Sequence, residues 1–516
     1  MLFIGIASMM HVLAAQAQQQ SAAGKKVYDK WCAGCHGDTG AGDGVASKTM
    51  LPHPRDFTKG VYKIRTTASG EIPTDANIHH IVEVGMPATA MPEWKSRLTQ
   101  QEIHDVVAYV KSFSQFFSTP AKDISIGKAP SSSSASIEDG HTTFRKLECF
   151  KCHGQQGRGD GSSAPTLKDD YGAPIRAADL NESWKFRGGN TVEEIYTRLF
   201  TGLDGTPMPS SADVIENKKI TAEQLWHVAQ YVRSLSPAEP PEVREVVRSA
   251  LVTKLPTTPD DSAWSSVERF WVPLVGQIIA KPRWFAPTVD GIWVQSLHDG
   301  RRIAIKLSWD DPSKSPNPQW NEWLGRVATA LTDADGPIST QQSFDRLVVE
   351  FPKTIADDAE RPYFLGGNAK KPAYAWRWTS EPDQVQEGDL AGLGHFAASS
   401  GAVQVTHAAR FVDGQWQLVL SRALAVSDTT KAPRFTPGRA IPIAFFAADG
   451  SNGEDDVRGS VSTWYAIYLD VPTPTRVFVM PIATVLFTAG LGILLVTRAQ
   501  RRERWLDQSH LEGEEQ

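Results

Sequence analysis

Cysteine is scarce in this chain: four residues among 516, standing as two pairs, Cys32 with Cys35 and Cys149 with Cys152. Both pairs have the same spacing, so no cysteine remains for a structural disulfide elsewhere. A strong charge excess is also absent, since 53 basic and 59 acidic residues leave a net charge of -6. This balance argues against a nucleic-acid partner, which requires a basic surface. The length suits three or four domains.

Each cysteine pair belongs to a Cys-x-x-Cys-His motif, which ends at His36 and at His153. This motif is the attachment signature of a c-type haem, because two thiols one helical turn apart can add to the vinyl groups and the histidine faces the iron. A zinc site, a redox dithiol and a disulfide are the alternatives. A zinc ribbon places its pairs roughly 15 to 20 residues apart, whereas these are 117 apart, and a redox dithiol does not need the histidine. The sequence therefore predicts two covalently bound c-type haems.

The two copies agree beyond the motif, which makes them a repeat. Glycines stand at equivalent places in residues 37–44 and 154–161. We expect these glycines to let a loop lie close against the porphyrin, where a side chain would collide.

Three Met-Pro dipeptides supply candidates for the second axial ligand. Met91 and Met208 each follow the histidine of their copy by 55 residues, whereas Met86 follows by 50. The equal offsets favour Met91 and Met208. Methionine opposite histidine raises the potential of low-spin iron and suits single-electron transfer. The other candidate ligands in the first copy are histidines: His53, His79, His80 and His104.

A helix closes each copy. Thr99 and Thr221 are predicted N-caps, with Glu102 and Gln224 at the capping-box position, and apolar residues then recur at helical spacing. This arrangement resembles the class I cytochrome c domain over residues 23–115 and 138–236. The resemblance implies two all-α domains with one haem each. It also implies an exported protein, because covalent haem attachment in bacteria takes place on the export side of the membrane.

Two arginines stand in matching motifs, Arg65 in Tyr-Lys-Ile-Arg and Arg187 in Trp-Lys-Phe-Arg. Both are candidate partners of the haem propionates, and solvated surface arginines are the alternative interpretation. The predicted haem sites therefore consist of four attachment cysteines, two arginines and four iron ligands: Cys32, Cys35, Cys149, Cys152, Arg65, Arg187, His36, Met91, His153 and Met208.

The two ends of the chain predict export and anchoring. Residues 1–17 are apolar and end in an Ala-Gln-Ala cleavage pattern, which predicts a signal peptide, although no basic residue precedes the apolar run. Residues 477–497 lack charge over 21 positions. At about 1.5 Å per residue, this stretch can span a membrane as a helix. Arginines follow in the tail, 498–516, so the positive-inside rule predicts a cytoplasmic tail and periplasmic haem domains at the inner membrane.

Between these ends, the composition changes twice. Residues 116–137 are rich in proline and serine and are predicted to form a flexible linker. Residues 250–470 consist of short β-rich runs, which predict a mainly-β sandwich. Residues 292–297 and 302–309 flank an Asp-Gly turn and predict a hairpin. Further strands are predicted at Leu347–Phe351, Tyr374–Trp378, Trp416–Ser421, Ile441–Phe446 and Val461–Leu469.

A series of motifs in residues 250–470 carries a second resemblance. They include Leu297-His298-Asp299-Gly300, Ser308-Trp309-Asp310-Asp311, Pro362-Tyr363-Phe364-Leu365-Gly366, Asp413-Gly414-Gln415-Trp416 and Ser460-Val461-Ser462-Thr463-Trp464-Tyr465. Their order resembles the haem-binding gamma subunit of ethylbenzene dehydrogenase, whose relatives serve dimethylsulfide dehydrogenase, selenate and chlorate reductases and nitrite oxidoreductase. The resemblance implies a b-type haem between an axial methionine and an axial lysine, and a molybdenum and iron-sulfur partner.

This chain departs from that pattern at both ligands. Leu365 stands where the methionine is expected and Gly459 where the lysine is expected, and no methionine lies between Met208 and Met480. Either the third domain has lost its haem or it uses other ligands. The available imidazoles are His298, His395 and His407, although lone histidines in a sandwich are more often ordinary polar residues.

The sequence thus predicts a multidomain protein: two all-α cytochrome c domains, a mainly-β sandwich and one C-terminal transmembrane helix. The leading hypothesis is a membrane-anchored periplasmic dihaem cytochrome that carries electrons as the gamma-like subunit of a molybdenum oxidoreductase, such as nitrite oxidoreductase. An independent electron carrier to a terminal oxidase is the second hypothesis. The third is a dihaem enzyme, either a peroxidase or a thiosulfate-oxidising cytochrome, which requires an open axial position at one iron.

Overall fold

The computed structural model describes residues 19–237, 239–331, 335–355, 365–399, 403–472 and 476–513. The predicted signal peptide lies outside the described residues. Within them, two helical domains precede a β-rich domain and a C-terminal helix, in the order that the sequence predicts.

The two helical domains repeat one arrangement of helices. The first contains α1 (residues 19–31), α2 (Ala33–His36), α3 (Asp75–Val84) and α4 (Gln100–Lys111). The second contains α5 (Ser134–Lys146), α6 (Phe150–His153), α7 (Val192–Thr201), α8 (Ala212–Glu216) and α9 (Ala222–Ser234). The capping boxes at Thr99 and Thr221 are confirmed, because each hydroxyl accepts from the backbone N–H three residues on and the residue there bonds back.

Glycine fixes how the first and last helices of each domain cross. A Cβ on Gly24 would lie 2.2 Å from the carbonyl oxygen of Asp105, and one on Gly140 would lie 2.0 Å from that of His227. Both glycines therefore bring α1 against α4, and α5 against α9, more closely than any other residue permits. This crossing is the same in both domains, so each Cys-x-x-Cys-His motif lies at the same position relative to its C-terminal helix.

The segment predicted as a flexible linker is held against both helical domains. Ile124 donates its N–H to the carbonyl of Thr66 at 2.8 Å, and Gln230 donates to the carbonyl of Pro130 at 2.9 Å. The serine run also contributes to a helix, because α5 begins at Ser134 with Ser133 as its N-cap. Serine favours both loops and N-caps, and composition alone did not separate the two roles.

Fourteen strands in the described residues form one hydrogen-bonded network that folds over into two sheets. The strands are β1 (Val246–Leu251), β2 (Phe270–Pro273), β3 (Val275–Gly276), β4 (Gly291–His298), β5 (Arg302–Asp310), β6 (Arg346–Pro352), β7 (Ala373–Ser380), β8 (Asp383–Leu390), β9 (Phe396–Ala398), β10 (Thr406–Val412), β11 (Gln415–Ala423), β12 (Ala440–Ala448), β13 (Ser460–Val461) and β14 (Tyr465–Leu469). The main path runs β10-β11-β5-β4-β1-β14-β12-β6-β7-β8-β9. Strand β1 pairs in parallel with β14 and β4, and the other ladders are antiparallel.

Strand β12 belongs to both sheets. Its residues 440–443 pair with β14, and its residues 444–448 pair with β6. Alternate residues of β5 and β6 point into the shared core, and the ring centroids of Trp309 on β5 and Trp378 on β7 lie 5.8 Å apart. Apolar residues therefore fill the space between two sheets, as the alternation in the sequence predicts.

The predicted hairpin is confirmed as β4 and β5, with Gly300 at φ 83° in the turn. The single strand predicted at 461–469 is wrong, because the ladder is interrupted between β13 and β14 where the Ser462 hydroxyl accepts from the N–H of Phe445. Helix α10 (Asn321–Ala330) was not predicted. It presents Trp323, Leu324 and Val327 to the core.

The C-terminal helix α11 (Arg476–Gly513) contains the one segment of the described residues that is long and apolar enough to cross a membrane, residues 477–506. Its apolar side chains have no protein neighbours to cover them: Phe487 is 73% exposed and Leu486 is 68% exposed. A helix that is apolar on all sides and packs against nothing fits a lipid environment.

Candidate haem sites

The two motif histidines are held in the same way. His36 donates from Nδ1 to the carbonyl of Arg55 at 3.0 Å, and His153 donates from Nδ1 to the carbonyl of Ala178 at 2.9 Å. This bond fixes the tautomer and leaves Nε2 as the free lone pair, which is the arrangement that a metal-binding histidine requires. Burial lowers the pKa of both imidazoles, which favours the neutral form that a metal-binding histidine needs.

The cysteines are poorly suited to the alternative chemistries. None is in a disulfide. Burial raises the pKa of Cys32 to about 12 and that of Cys149 to about 11, whereas a redox dithiol needs a lowered pKa. In the described parts of the chain, neither motif brings three metal-binding atoms together as a zinc site would.

The loops that carry Met91 and Met208 have matching hydrogen bonds. Met86 donates its N–H to the carbonyl of Met91 at 3.0 Å, and Leu203 donates to that of Met208 at 3.1 Å. In the first loop the Thr89 hydroxyl accepts from the N–H of Met91. In the second loop the Thr206 hydroxyl accepts from the N–H of Met208. The repeat thus aligns Met91 with Met208 and Met86 with Leu203.

The alternative histidine ligands of the first domain are exposed or have other contacts. His79 pairs loosely with Glu83, His80 is exposed, and the His104 side chain is 66% exposed and bonds to Gln20. His53 bonds to the carbonyl of Ser47. These contacts leave Met91 as the candidate that has a matched equivalent in the second domain.

Two of the repeated glycines, Gly37 and Gly154, also have a role within their own loops. A Cβ on Gly37 would lie 2.0 Å from a carboxylate oxygen of Asp43, and one on Gly154 would lie 1.7 Å from that of Asp160. Both glycines also have positive φ, 78° and 82°. They let the loop fold back on its own aspartate, which fixes the end of the motif helix.

A group of basic residues lies at the contact between the helical domains. Burial, with nearby Arg55 and Arg187, lowers the pKa of Lys63 to about 8. Within the described residues, Lys63 and Arg187 form no hydrogen bond or ion pair with another side chain, and Arg198 has buried Nε and Nη1 atoms without a partner. Cations in such surroundings fit the carboxylates of haem propionates. The contact of Arg187 with a haem propionate stays a prediction. Lys63 and Arg198 are further candidates for such a contact, which the sequence did not indicate.

Arg65 is held by contacts with both helical domains. Its side chain is fully buried and donates to the carbonyls of Tyr62, Ala68 and Thr201. It also pairs with Asp204 of the second domain at 2.8 Å. Arg65 therefore joins the two domains, and its predicted contact with a propionate stays a prediction.

The two sites touch each other through these loops. Gly205, in the Met208 loop, lies so close to Val61 and Arg55 that a Cβ there would be 3.3 Å and 3.5 Å from their side chains. Arg55 is also the residue whose carbonyl holds His36. The methionine loop of the second domain therefore packs on the segment that orients the histidine of the first.

The third domain lacks both axial ligands that the resemblance implies: there is no room for a side chain at the position of the lysine, and leucine replaces the methionine. A Cβ on Gly459 would lie 2.4 Å from the carbonyl of Ala447 and 2.7 Å from the ring of Phe446, and Leu365 packs in an apolar cluster. His298 bonds to the carbonyl of Asp470, His407 bonds to Asp383, and His395 is exposed. Among the described residues, Leu365 and Gly459 therefore do not fit the methionine and lysine pair that the resemblance implies for a b-type haem.

Replacing Gly459 with alanine is expected to destabilise the sandwich by about 2 kcal/mol, because the added methyl overlaps backbone. Thermal unfolding followed by tryptophan fluorescence measures the change. Gly325→Ala in α10 is the matched control, since a Cβ there meets nothing within 4 Å. Equal stability of both variants would show that a side chain fits at position 459.

Two stretches of the chain, residues 21–114 and 137–236, match the family model described as Cytochrome c. They coincide with the helical domains and their histidine and methionine loops. Cytochrome c domains imply covalently bound c-type haem, and the chain is a multihaem c-type cytochrome with a sheet-rich region and a candidate membrane helix.

Three known proteins are similar to parts of this chain. A curated protein of Haloferax mediterranei, named as a putative respiratory nitrate reductase heme subunit ORF7, is 29% identical over 257 residues, which are 49% of this chain and 82% of that protein. A solved Kuenenia stuttgartiensis reducing HAO-like protein complex is 44% identical with a TM-score of 0.39, covering 42% of this chain and 96% of that one. A family 9 carbohydrate binding module from Caldicellulosiruptor kristjanssonii is 10% identical with a TM-score of 0.27, covering 45% and 96%. Both TM-scores are low, and neither likeness bears on function.

Proposed function

We propose that this chain is a dihaem c-type cytochrome, anchored in the inner membrane by α11, with its haem domains in the periplasm. It carries electrons as the gamma-like subunit of a respiratory molybdenum oxidoreductase of the nitrite oxidoreductase or nitrate reductase type. The name of the Haloferax mediterranei relative supports a nitrogen-oxide respiratory complex. The motifs of residues 250–470 support the molybdenum partner.

One observation carries the electron-transfer proposal: the two sites have the same construction and lie in contact. In each, a backbone carbonyl holds Nδ1 of the histidine and a threonine hydroxyl holds the methionine N–H. A c-type haem bound there supplies a one-electron couple. His36 with Met91, and His153 with Met208, would hold the two irons and leave no position for substrate, and the ion pair of Arg65 with Asp204 keeps the two domains at a fixed relative position.

The sandwich is proposed to act as a rigid support for the second haem domain. Arg158 bonds to Asp310 at 3.0 Å and to the carbonyl of Asp413 at 3.1 Å. Lys185 bonds to Asp290 at 2.6 Å. Arg158 lies in the loop that follows the second haem motif, so the sandwich fixes that haem relative to any complex that docks on the β-domain.

A pyridine haemochrome assay on the purified chain is expected to give two c-type haems, because each Cys-x-x-Cys-His motif holds one. Replacing Cys149 and Cys152 together with serine should reduce the count to one. Extraction with acidified acetone should release no haem from the wild-type chain. A third, extractable haem would contradict the conclusion about Leu365 and Gly459.

Isolation of the native membrane complex tests the partner. Affinity purification through this chain, followed by metal analysis, is expected to recover molybdenum and non-haem iron with the cytochrome. Recovery of a terminal oxidase without molybdenum would favour the independent carrier. A high-spin ferric absorption band in the resting protein would favour the dihaem enzyme, since that class needs an open axial position.

A further inference from the structure

Three buried aspartates meet at one end of the sandwich. Asp311 follows β5, Asp345 precedes β6 and Asp449 follows β12. All three side chains are at most 1% exposed, and one carboxylate oxygen from each lies within 4.8 Å of the others. Strands β5 and β6 belong to opposite sheets and β12 belongs to both, so the cluster stands where the two sheets join.

The hydrogen bonds of the cluster leave specific oxygens unused. Asp345 is fully engaged, because it accepts from the N–H groups of Ser315 and Gly450 and from Nε1 of Trp416. Asp311 uses only Oδ1, which accepts from the N–H of Ser313 at 3.0 Å. Asp449 likewise uses Oδ1, which accepts from Ser451 and Ser315. Oδ2 of Asp311 and Oδ2 of Asp449 are buried and have no hydrogen-bond donor among the described residues.

The positive charge nearby is too small to balance the cluster. Arg176, from the second helical domain, places Nη2 at 3.9 Å from Oδ2 of Asp449. The same Nη2 donates to the hydroxyl of Thr288 at 2.6 Å. Glu454 adds a fourth buried carboxylate, although its oxygens accept from Trp284, Thr288, Asn452 and the N–H of Asp449. The cluster therefore binds either protons or a cation.

We propose that Asp311, Asp345 and Asp449 bind one divalent cation, and that the cation is Ca²⁺. The donors are all oxygen, which suits a hard cation and excludes the softer metals. Carboxylates from three separate segments give an irregular geometry, which Ca²⁺ tolerates and Mg²⁺ does not. The Ser313 hydroxyl, buried and without a partner in the described residues, is a further oxygen donor next to Asp311.

Metal analysis of the full-length protein tests the site. Protein purified in calcium-containing detergent buffer and then desalted is expected to retain about one Ca²⁺ per chain, measured by mass spectrometry together with magnesium, manganese and zinc. Removal with EGTA should lower the thermal stability, and added CaCl₂ should restore it. Asp311→Asn and Asp449→Asn keep the shape and remove the charge, so each should weaken Ca²⁺ binding by roughly tenfold or more.

Asp428→Asn is the matched control, because Asp428 lies next to a surface turn of the same domain and the hydrogen bonds of its carboxylate are to Thr430. It should keep both the bound calcium and the calcium-dependent stability. Magnesium or manganese in place of calcium would uphold the site and overturn the choice of ion. Wild-type protein without any of these metals, and with no change on adding CaCl₂, would overturn the proposal. That result comes from the wild-type protein and does not depend on whether the variants fold. An Asp311→Asn variant as stable as wild type would then show that the carboxyls of the cluster are protonated.

Discussion

Replacing Met208 with histidine is expected to lower the midpoint potential of one haem and to leave the other unchanged. Methionine opposite histidine stabilises the reduced iron, and a second imidazole removes that preference. The drop should be on the order of 0.1 to 0.3 V, within the roughly 0.8 V range that axial ligands set. Potentiometric titration of the purified chain measures both potentials, and mass spectrometry confirms that the haem remains covalently attached.

The repeat supplies a sharp control for this experiment. Met86 corresponds to Leu203 in the matching loop, so Met86→Leu should leave both potentials at their wild-type values. Met91→His should lower the potential that Met208→His leaves unchanged. If Met86→Leu shifts a potential and Met91→His does not, the ligand of the first domain has been assigned to the wrong methionine.

Replacing Asp204 with asparagine is expected to separate the two helical domains. The Arg65 side chain is fully buried, and Asp204 carries the opposite charge at 2.8 Å. Removing one partner of a buried pair leaves an uncompensated charge, which costs about 3 kcal/mol. The same carboxylate accepts from the Ser69 hydroxyl through one oxygen and from the Gly70 N–H through the other, and the asparagine amide keeps only one of these two acceptors. Calorimetry should show the two domains unfolding together in the wild type and separately in the variant.

Asp213→Asn serves as the control, because Asp213 lies in α8 of the same domain and is exposed. The substitution changes the net charge by the same amount as Asp204→Asn. Combining Asp204→Asn with Arg65→Met should recover part of the lost stability, since the double variant buries no charge. A calorimetric trace for Asp204→Asn that matches wild type would show that other contacts hold the domains together.

Local signals in the sequence predicted much of this protein. The capping boxes at Thr99 and Thr221 need only residues three apart, and the β4–β5 hairpin needs only an Asp-Gly turn between alternating runs. The haem motif is equally local. The match between Met91 and Met208 came from counting along a repeat, and the paired hydrogen bonds of their loops agree with it.

The features that the sequence did not reveal depend on residues far apart in the chain. Arg65 and Arg187 stand in equivalent motifs, yet Arg65 meets Asp204 whereas Arg187 meets no acidic side chain in the described residues. In the neighbouring motif positions the outcome is reversed: Lys185 pairs with Glu182 and Asp290, whereas Lys63 forms no ion pair within the part of the chain that the structure describes. Which member of each motif is neutralised depends on the domain packed against it. The three-aspartate cluster likewise forms only when β5, β6 and β12 come together.

The short connection between β14 and α11 has a geometric consequence. Strand β14 ends at Leu469 and α11 begins at Arg476, and the six intervening residues can reach at most about 20 Å when fully extended. With α11 embedded in a bilayer, the β-domain lies near the lipid headgroups, and its contacts with the second helical domain hold that domain at a limited height. Any redox partner of an anchored chain must then offer its docking face close to the membrane surface.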